Sequence, residues 1–409
     1  MRLYNTMSRS LEVFRPRTSG IVKVFTCGPS IYRRPHIGNY RTFLYEDLLI
    51  RYLEYKGYRV EHAMPLTDIE DKTIIEAKKQ NRKIEELTAD IENIFLKEAR
   101  LLNIKLPRML QRVSQCVDTA AEIIRVLIEK GYAYRHGKDI FFDTLKDKDF
   151  GRLYRVDMRQ WPKKHVRFRR DTYPGNRWNK GDFIIWHGYR EGDPTWWETP
   201  IGKGRPSWNI QDPSVIIRHL GAQVDINCGG IDNIYRHHDY NIAIMESYTG
   251  VEYARCFLHG EHLIVEGKPM SKSRGNILYP EDITSRGCDA KDLRFFLLST
   301  HYRTKLNYTD KNFRAACMRA NELRNIVRGI KGDVKSITGC NSRIRSIITK
   351  MRKDFETHMD DDLSFGKAFD AVESAVRHLA SRKEDISLDD ARTLDDTLRK
   401  IDSVMGIIF

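Results

Sequence analysis

Two short segments carry residue types suited to a polyphosphate: Pro35-His36-Ile37-Gly38-Asn39 near the start, and Met270-Ser271-Lys272-Ser273 far downstream. When a carboxylate attacks the α-phosphate of ATP, charge builds on the phosphates and pyrophosphate leaves. The catalyst needs donors aimed at that charge and little covalent chemistry of its own. His36 suits donation to the triphosphate, and Gly38 suits close approach of the nucleotide to the backbone. Lys272 suits neutralisation of the departing pyrophosphate, with the Ser271 and Ser273 hydroxyls as further donors. Alone, a His before Gly is ordinarily a loop residue, and a Ser-Lys-Ser loop is ordinarily just solvated. Together, in this order and in one α/β pattern, the segments look like two halves of an ATP site that makes an acyl-adenylate.

The elements that must position them can be read from periodicity. Residues 22–26 read as a buried parallel strand and residues 43–58 as an amphipathic helix. The loop between them carries Gly28, His36 and Gly38. A strand–loop–helix unit puts backbone N–H groups and a positive helix end where phosphate can sit. A second strand, 60–64, leads into Thr67-Asp68-Ile69-Glu70-Asp71-Lys72 and a helical run to about residue 103. Residues 115–131 form an amphipathic helix, 139–143 a short strand, and 145–207 a turn-rich, charged insertion. The α/β pattern resumes at 210–220, 224–227 and 237–249, and helical periodicity dominates from about 306. This predicts an α/β fold: a doubly wound, Rossmann-like parallel sheet split by an insertion and followed by a helical bundle. Ligands of such sheets sit beyond the carboxyl ends of the strands, where residues 27–39, 67–71, 227–232 and His237-His238 converge.

At 409 residues the chain can form two or three domains with real cores. No run approaches the roughly 18 apolar residues of a membrane helix. No secretory apolar region opens the chain, so a cytoplasmic location and no membrane partner are the expectation. The seven cysteines are scattered without a CxxC pair, which argues against a disulfide framework and a zinc ribbon. A net charge of +14 favours a polyanionic partner such as nucleic acid. The excess concentrates in residues 152–190, where Lys163, Lys164, His165, Arg167, Arg169, Arg170, Arg177 and Lys180 interleave with Trp161, Phe168, Tyr173 and Trp178. Such a mixture suits phosphate contact and base stacking; its ordinary alternative is a solvated loop.

With these residues in view, the chain resembles the class I aminoacyl-tRNA synthetases and, among them, the cysteinyl-tRNA synthetases. The likeness runs through Cys27-Gly28-Pro29, His36-Ile37-Gly38-Asn39, Thr67 to Lys72, Trp197-Glu198-Thr199-Pro200, Gly204 to Trp208, Gly229-Gly230-Ile231-Asp232, His237-His238 and Met270 to Ser273. It implies that His36, Asn39 and Lys272 are catalytic, serving ATP with Mg2+. It implies that Gly28, Gly38, Gly230, Asp232, Met270, Ser271 and Ser273 belong to the ATP site, Asp232 serving the ribose hydroxyls. Thr67 and Trp208 match positions that line the amino-acid pocket. It divides the chain into a first catalytic half (1–120), a connective insertion (121–205), a second catalytic half (206–260), a lysine loop with stem-contact region (261–305) and a helical bundle (306–409). The implied partners are an amino acid, ATP and a tRNA acceptor stem, with a monomer as the default.

The departures from the family's pattern lie in the amino-acid pocket. The family holds zinc on two Cys, one His and one Glu, and the substrate thiolate joins them; zinc prefers thiolate to hydroxyl. Here Cys27 and His237 keep two of those places, Asp212 takes that of the second Cys, and Asn241 that of the Glu. Cys27, Asp212 and His237 remain a three-ligand possibility, but losing a thiolate and a carboxylate argues against tight zinc. A polar pocket of Asn209, Gln211, Asp212 and Asn241 would suit a substrate side chain with donors or positive charge. Pro269 stands where the family has the first lysine of its lysine loop, and Lys268 precedes it. The small terminal region that follows the helical domain in the family has no counterpart after Phe409. Three functions compete: a tRNA ligase; a paralogue that activates a different amino acid or serves a non-tRNA acceptor; and a non-catalytic nucleic-acid binder. Retention of His36, Asn39 and Lys272 argues against the last.

Overall fold

The computed structural model describes residues 1–159, 181–332 and 339–409. Residues 161–180, which hold the basic and aromatic run, therefore lie outside the described residues. The centre is an all-parallel sheet of five strands: β1 (Ile21–Thr26), β2 (Arg59–Leu66), β3 (Met109–Arg112), β4 (Val224–Gly230) and β5 (Ala254–Gly260). Their spatial order is β5-β4-β1-β2-β3. The order reverses between β1 and β4, which is where doubly wound sheets form their ligand crevice.

Each strand feeds two cores because side chains alternate across the pleat. Val22, Val24, Met64, Leu66, Ile226 and Leu258 face the core that holds helix α1 (Ile37–Tyr55). Phe25, Ala63 and Phe257 face the other, built with helices α2 (Val117–Glu129), α3 (Trp208–His219) and α4 (Asp239–Thr249). Four antiparallel strands, Ala133–His136, Asp139–Phe142, Phe183–Gly188 and Gly204–Pro206, form a second sheet between the two sets of parallel strands in the chain.

Past a small three-stranded sheet come four long helices: Asp310–Gly332, Ser342–Met359, Phe365–Ala380 and Leu388–Met405. They are tied to the catalytic sheet through α1. Arg294, fully buried, donates to Asp47 of α1 (2.6 Å), to the Met405 carbonyl (2.8 Å) and to the Asn103 carbonyl (3.0 Å). A buried guanidinium with every direction satisfied fixes the angle between these parts, whereas removing one partner would strand a charge. No helix among the described residues is long and apolar enough to cross a membrane.

The helix after β1 differs from its expected span. It begins at Ile37 rather than near 43, because His36 caps it: its Nδ1 accepts from the N–H groups of Gly38 (3.2 Å) and Asn39 (3.3 Å), while Asn39 Oδ1 accepts from the His36 N–H (3.0 Å). This reciprocal arrangement satisfies donors that a helix start otherwise leaves open. It also absorbs Gly38 and Asn39, two poor helix formers, into the first turn.

Candidate active site

The carboxyl ends of β1, β2 and β4 open onto a cavity of about 920 Å3. Its lining joins both sequence segments: Cys27, Gly28, His36, Asn39, Thr67, Trp208, Asp212, Gly230, Asp232, His237, Met270, Ser271 and Lys272. Gly38, Ser273 and Asn241 are not among its lining residues.

At one end the donors stand on loops. The His36 ring uses Nδ1 as an acceptor for the helix cap, which leaves the proton on Nε2, and burial lowers its pKa, so the ring is a neutral donor. Met270 reaches across from the second segment: a Cβ on Gly38 would lie 2.8 Å from its Cε. The close approach that Gly38 permits is thus to Met270. A backbone bond from Ile37 N–H to the Leu278 carbonyl (2.9 Å) joins the same two segments. Asn276 accepts from the Ser271 N–H (2.9 Å) and donates to the Pro269 carbonyl (3.2 Å), closing the loop that carries exposed Lys272. Ser271 and Ser273 hydroxyls face each other at 3.3 Å. Lys268 and Pro269 form a short strand against Ile264 and Val265, and Lys268 is absent from the cavity lining.

Gly28 serves packing as much as access. A Cβ there would fall 1.7 Å from the Pro65 carbonyl oxygen, so only glycine lets the loop after β1 cross the end of β2. That crossing places Thr67, which bonds backbone to backbone with Pro29 and Ile31, beside Cys27.

The other end is buried and made of side chains. His237 Nε2 lies 2.8 Å from Asp212 Oδ2, and Cys27 Sγ lies 3.7 Å from His237 Nε2 and 3.9 Å from Asp212 Oδ2. Trp208 stacks on the His237 ring at 4.2 Å. Burial and the Asp212 carboxylate push the Cys27 thiol well above its usual range. Of the expected polar pocket, Asn209 and Asp212 line the cavity, Asn209 also donating to the Ile184 carbonyl (2.9 Å), whereas Gln211 is outside the lining and donates to the Ile69 carbonyl (2.5 Å).

These observations test the zinc site that the family resemblance implies. Asn241 turns its Nδ2 donor to Asp212 Oδ2 (3.3 Å), and its buried Oδ1 has no hydrogen-bond partner among the described residues; a neutral amide oxygen thus stands in the place of the family's Glu carboxylate. Of the inherited positions, Cys27, Asp212 and His237 come together, with their ligand atoms 2.8, 3.7 and 3.9 Å apart. A second grouping, Cys27, His237 and His238, all buried, brings its ligand atoms within 4.8 Å of one another.

The sequence places His238 at the ligand end of the sheet with His237 but assigns it no role. Its only sequence signal is its place beside His237. A kink directs both rings inward: Tyr235 is extended (φ −89°, ψ 137°) and Arg236 left-handed (φ 60°, ψ 3°) immediately before them. Such a conformation costs roughly 1 kcal/mol in a residue with a Cβ and persists where the surroundings enforce it. Glu70, within the 67–71 stretch expected at the ligand end but given no role, lines the cavity, and burial raises its pKa.

Residues 13–318 match the family described as tRNA synthetases class I (C) catalytic domain. The cysteine–tRNA ligase of Chlamydia abortus is 33% identical over 413 residues, 99% of this chain and 86% of that protein. That of Ligilactobacillus salivarius is 32% identical over 417 residues, 100% and 88% of the two. In structure the chain is similar to Mycobacterium tuberculosis methionyl-tRNA synthetase bound by methionyl-adenylate (TM-score 0.68, 16% identity, 96% of this chain and 90% of that one). It is similar also to the Agrobacterium radiobacter K84 LeuRS in a ternary complex with tRNA and LeuAMS (TM-score 0.65, 13% identity, 97% and 84%).

Proposed function

This chain belongs to the class I tRNA synthetases of the (C) catalytic type, and we propose that it is an ATP-dependent ligase, similar to cysteine–tRNA ligase, that makes an aminoacyl-adenylate and passes the amino acid to tRNA. One observation carries the reading: one cavity is lined by both sequence segments, His36 and Asn39 with Ser271 and Lys272, and by the buried side chains Cys27, Trp208, Asp212 and His237. In the first step an amino-acid carboxylate oxygen bonds to the α-phosphorus of ATP, and the bond to the bridging oxygen breaks, releasing pyrophosphate. A terminal tRNA hydroxyl then attacks the acyl carbon, and AMP leaves.

The residues divide this work. His36, held by the cap, aims a neutral Nε2–H at the phosphates without paying for reorientation during the reaction. The α1 N-terminus adds its positive end. Lys272 follows the pyrophosphate from an exposed loop, and Mg2+ accompanies the nucleotide. Asp232, on the turn after β4, suits the ribose hydroxyls. Thr67 and Trp208 shape the amino-acid end. If zinc is held by Cys27 and the two histidines, it supplies a preference for a thiolate over a hydroxyl.

A second reading has a specific motive. Asp212 and Asn241 replace two ligand types of the family, so the activated amino acid, or its acceptor, can differ from those of cysteine–tRNA ligase. An ATP–pyrophosphate exchange screen over all amino acids, with total tRNA added in a parallel arm, tests both. The first reading expects exchange with cysteine alone and charging of tRNA. Exchange with another amino acid, or adenylate without charging, establishes the second. No exchange with any amino acid overturns both.

A further inference from the structure

We propose that Arg34 is a positioning residue for the reaction: it latches the segment behind the lysine loop, residues 277–281, to the loop before His36, and Glu281 is the partner that lets go. The service to catalysis rests on the ligase reading above; the latch itself does not.

The two loops are joined by the backbone bond from the Ile37 N–H to the Leu278 carbonyl (2.9 Å). Such a bond is a pivot. It fixes where the segments touch, but not the angle at which residues 270–276 approach His36. Beside the pivot stands Arg34. Its Nη2 donates to Glu281 Oε2 (2.9 Å), and its guanidinium lies over the Tyr279 ring at 4.8 Å. Tyr279 and Glu281 move as one piece, because Asp282 accepts from the Tyr279 N–H (2.8 Å) at the start of the short helix Pro280–Thr284. Arg34 and Tyr279 line the same cavity as Ser271 and Lys272. A pivot with a contact to one side of it becomes a brace.

The two legs of Arg34 differ in kind. Glu98, on the helix Ile84–Leu101, is 5% exposed. Its Oε1 accepts from Arg34 Nε (2.9 Å) and Nη2 (2.5 Å), and its Oε2 accepts from Tyr40 Oη (2.7 Å). A buried carboxylate held on both oxygens is a fixed anchor, and moving Arg34 away would strand its charge. Glu281 is 73% exposed. An ion pair in that setting shifts an equilibrium by up to about fivefold and weakens as salt rises. Arg34 therefore stays with Glu98 and exchanges Glu281 for water. Neither Arg34 nor Glu281 belongs to the stretches that carry the family resemblance.

With the brace made, Lys272 meets the leaving pyrophosphate from a set direction. With it broken, the loop samples other directions, and only part of its population is competent.

The test compares full-length wild type with Glu281→Gln, an exposed change that leaves Arg34 and Glu98 paired. First, trypsin is added briefly without ATP, amino acid or tRNA, and cleavage after Lys272 and Arg274 is followed by mass spectrometry. Those cuts should be about threefold faster in Glu281→Gln at about 0.05 M NaCl and equally fast in both proteins at about 0.5 M. Second, ATP–pyrophosphate exchange in the variant should be about threefold slower at low salt through kcat, with the KM of the amino acid unchanged, and should converge on wild type at high salt. A merely structural role would persist at high salt. Arg34→Lys keeps a charge beside Glu98 but cannot fork to two carboxylates; adding Glu281→Gln to it should slow exchange less than in wild type. Equal cleavage at low salt, a difference that survives high salt, or full additivity overturns the latch. Faster cleavage with an unchanged exchange rate overturns the positioning role. Because proteolysis uses no substrate, failure of the latch leaves the ligase reading untouched. Absence of exchange with every amino acid removes that reading and the positioning role with it, while the cleavage comparison still decides the latch.

Discussion

The two ends of the cavity solve opposite problems. At the phosphate end, His36, Ser271 and Lys272 stand on loops, and each hydrogen bond joins residues close in sequence or links only two segments. At the closed end, Thr6, Cys27, Asn227, His238, Tyr253 and His259 come from widely separated parts of the chain and touch only because the sheet assembles. A polyphosphate arrives with charge and water, so an exposed donor such as Lys272 can serve it beside a His36 held in place by its helix cap. A small side chain must be told from its neighbours, which requires rigid, dehydrated partners. Function and stability should therefore separate at the first end and be inseparable at the second.

The largest expected effect tests the first half of that statement. Lys272 is exposed, and the hydrogen bond from the Gly275 N–H to its backbone carbonyl survives truncation of the side chain. Lys272→Ala should slow ATP–pyrophosphate exchange by about 100-fold, or about 3 kcal/mol of transition-state stabilisation, while thermal unfolding is unchanged. An unaltered exchange rate would refute the role given to Lys272; a lowered melting temperature would break the separation itself.

Next comes a stability effect within the central sheet. His62 on β2 is buried against Thr26 (2.9 Å), and burial pushes its pKa down to about 4. Its folded pKa lies below its unfolded value near 6.5. The neutral form is thus the one the fold accepts: the stabilisation is present above about pH 6.5 and is lost as pH falls towards 4. Between pH 7.5 and 5 the loss should be about 2 kcal/mol. Urea unfolding of wild type and His62→Gln at both pH values measures it. The gap between them should shrink at the lower pH; a gap independent of pH would remove His62 as its source.

The same contrast governs what the sequence could tell. The strand 22–26 and the helices at 210–220 and 237–249 were legible because apolar residues recur with the right period. Both motif segments were legible because their residue types match one chemistry. The start of α1 was not, because histidine is an uncommon cap and Gly38-Asn39 oppose a helix. Strand β5, Ala-Arg-Cys-Phe-Leu-His-Gly, was hidden by Arg255 and His259, a buried histidine that packing rather than periodicity explains. The contacts of His238 left no trace beyond two adjacent histidines, since its partners meet only in three dimensions. Gln211 misled in the opposite way: a polar residue beside a motif looks like a pocket wall until its carbonyl partner is known, while Asn209, two residues earlier, does line the cavity.

A smaller effect sharpens the boundary between cap and catalyst. His36→Ala loses the acceptor for Gly38 and Asn39 and should cost about 1 kcal/mol of stability. Asparagine is a good cap without an imidazole donor. His36→Asn should therefore recover most of that stability in denaturant unfolding but not the exchange rate, which should stay at least tenfold low. Recovery of both would mean that His36 acts only by starting the helix.

The smallest effect lies where the two segments touch. A Cβ on Gly38 would meet Met270 Cε at 2.8 Å and the His36 ring at 3.0 Å. The methionine methyl is the far end of a flexible side chain, so Gly38→Ala should change stability by only about 0.5 kcal/mol, with lost chain entropy in the unfolded state offsetting part of the contact. Displacing Met270 moves the loop that holds Lys272, however, and should slow exchange a fewfold. If the loss arises from that contact, trimming Met270 to Ala in the Gly38→Ala background should return part of the rate, and a double-mutant cycle should show coupling between them. Additive effects would mean that alanine at 38 obstructs the nucleotide itself, and the contact between the segments would then be packing without consequence for catalysis.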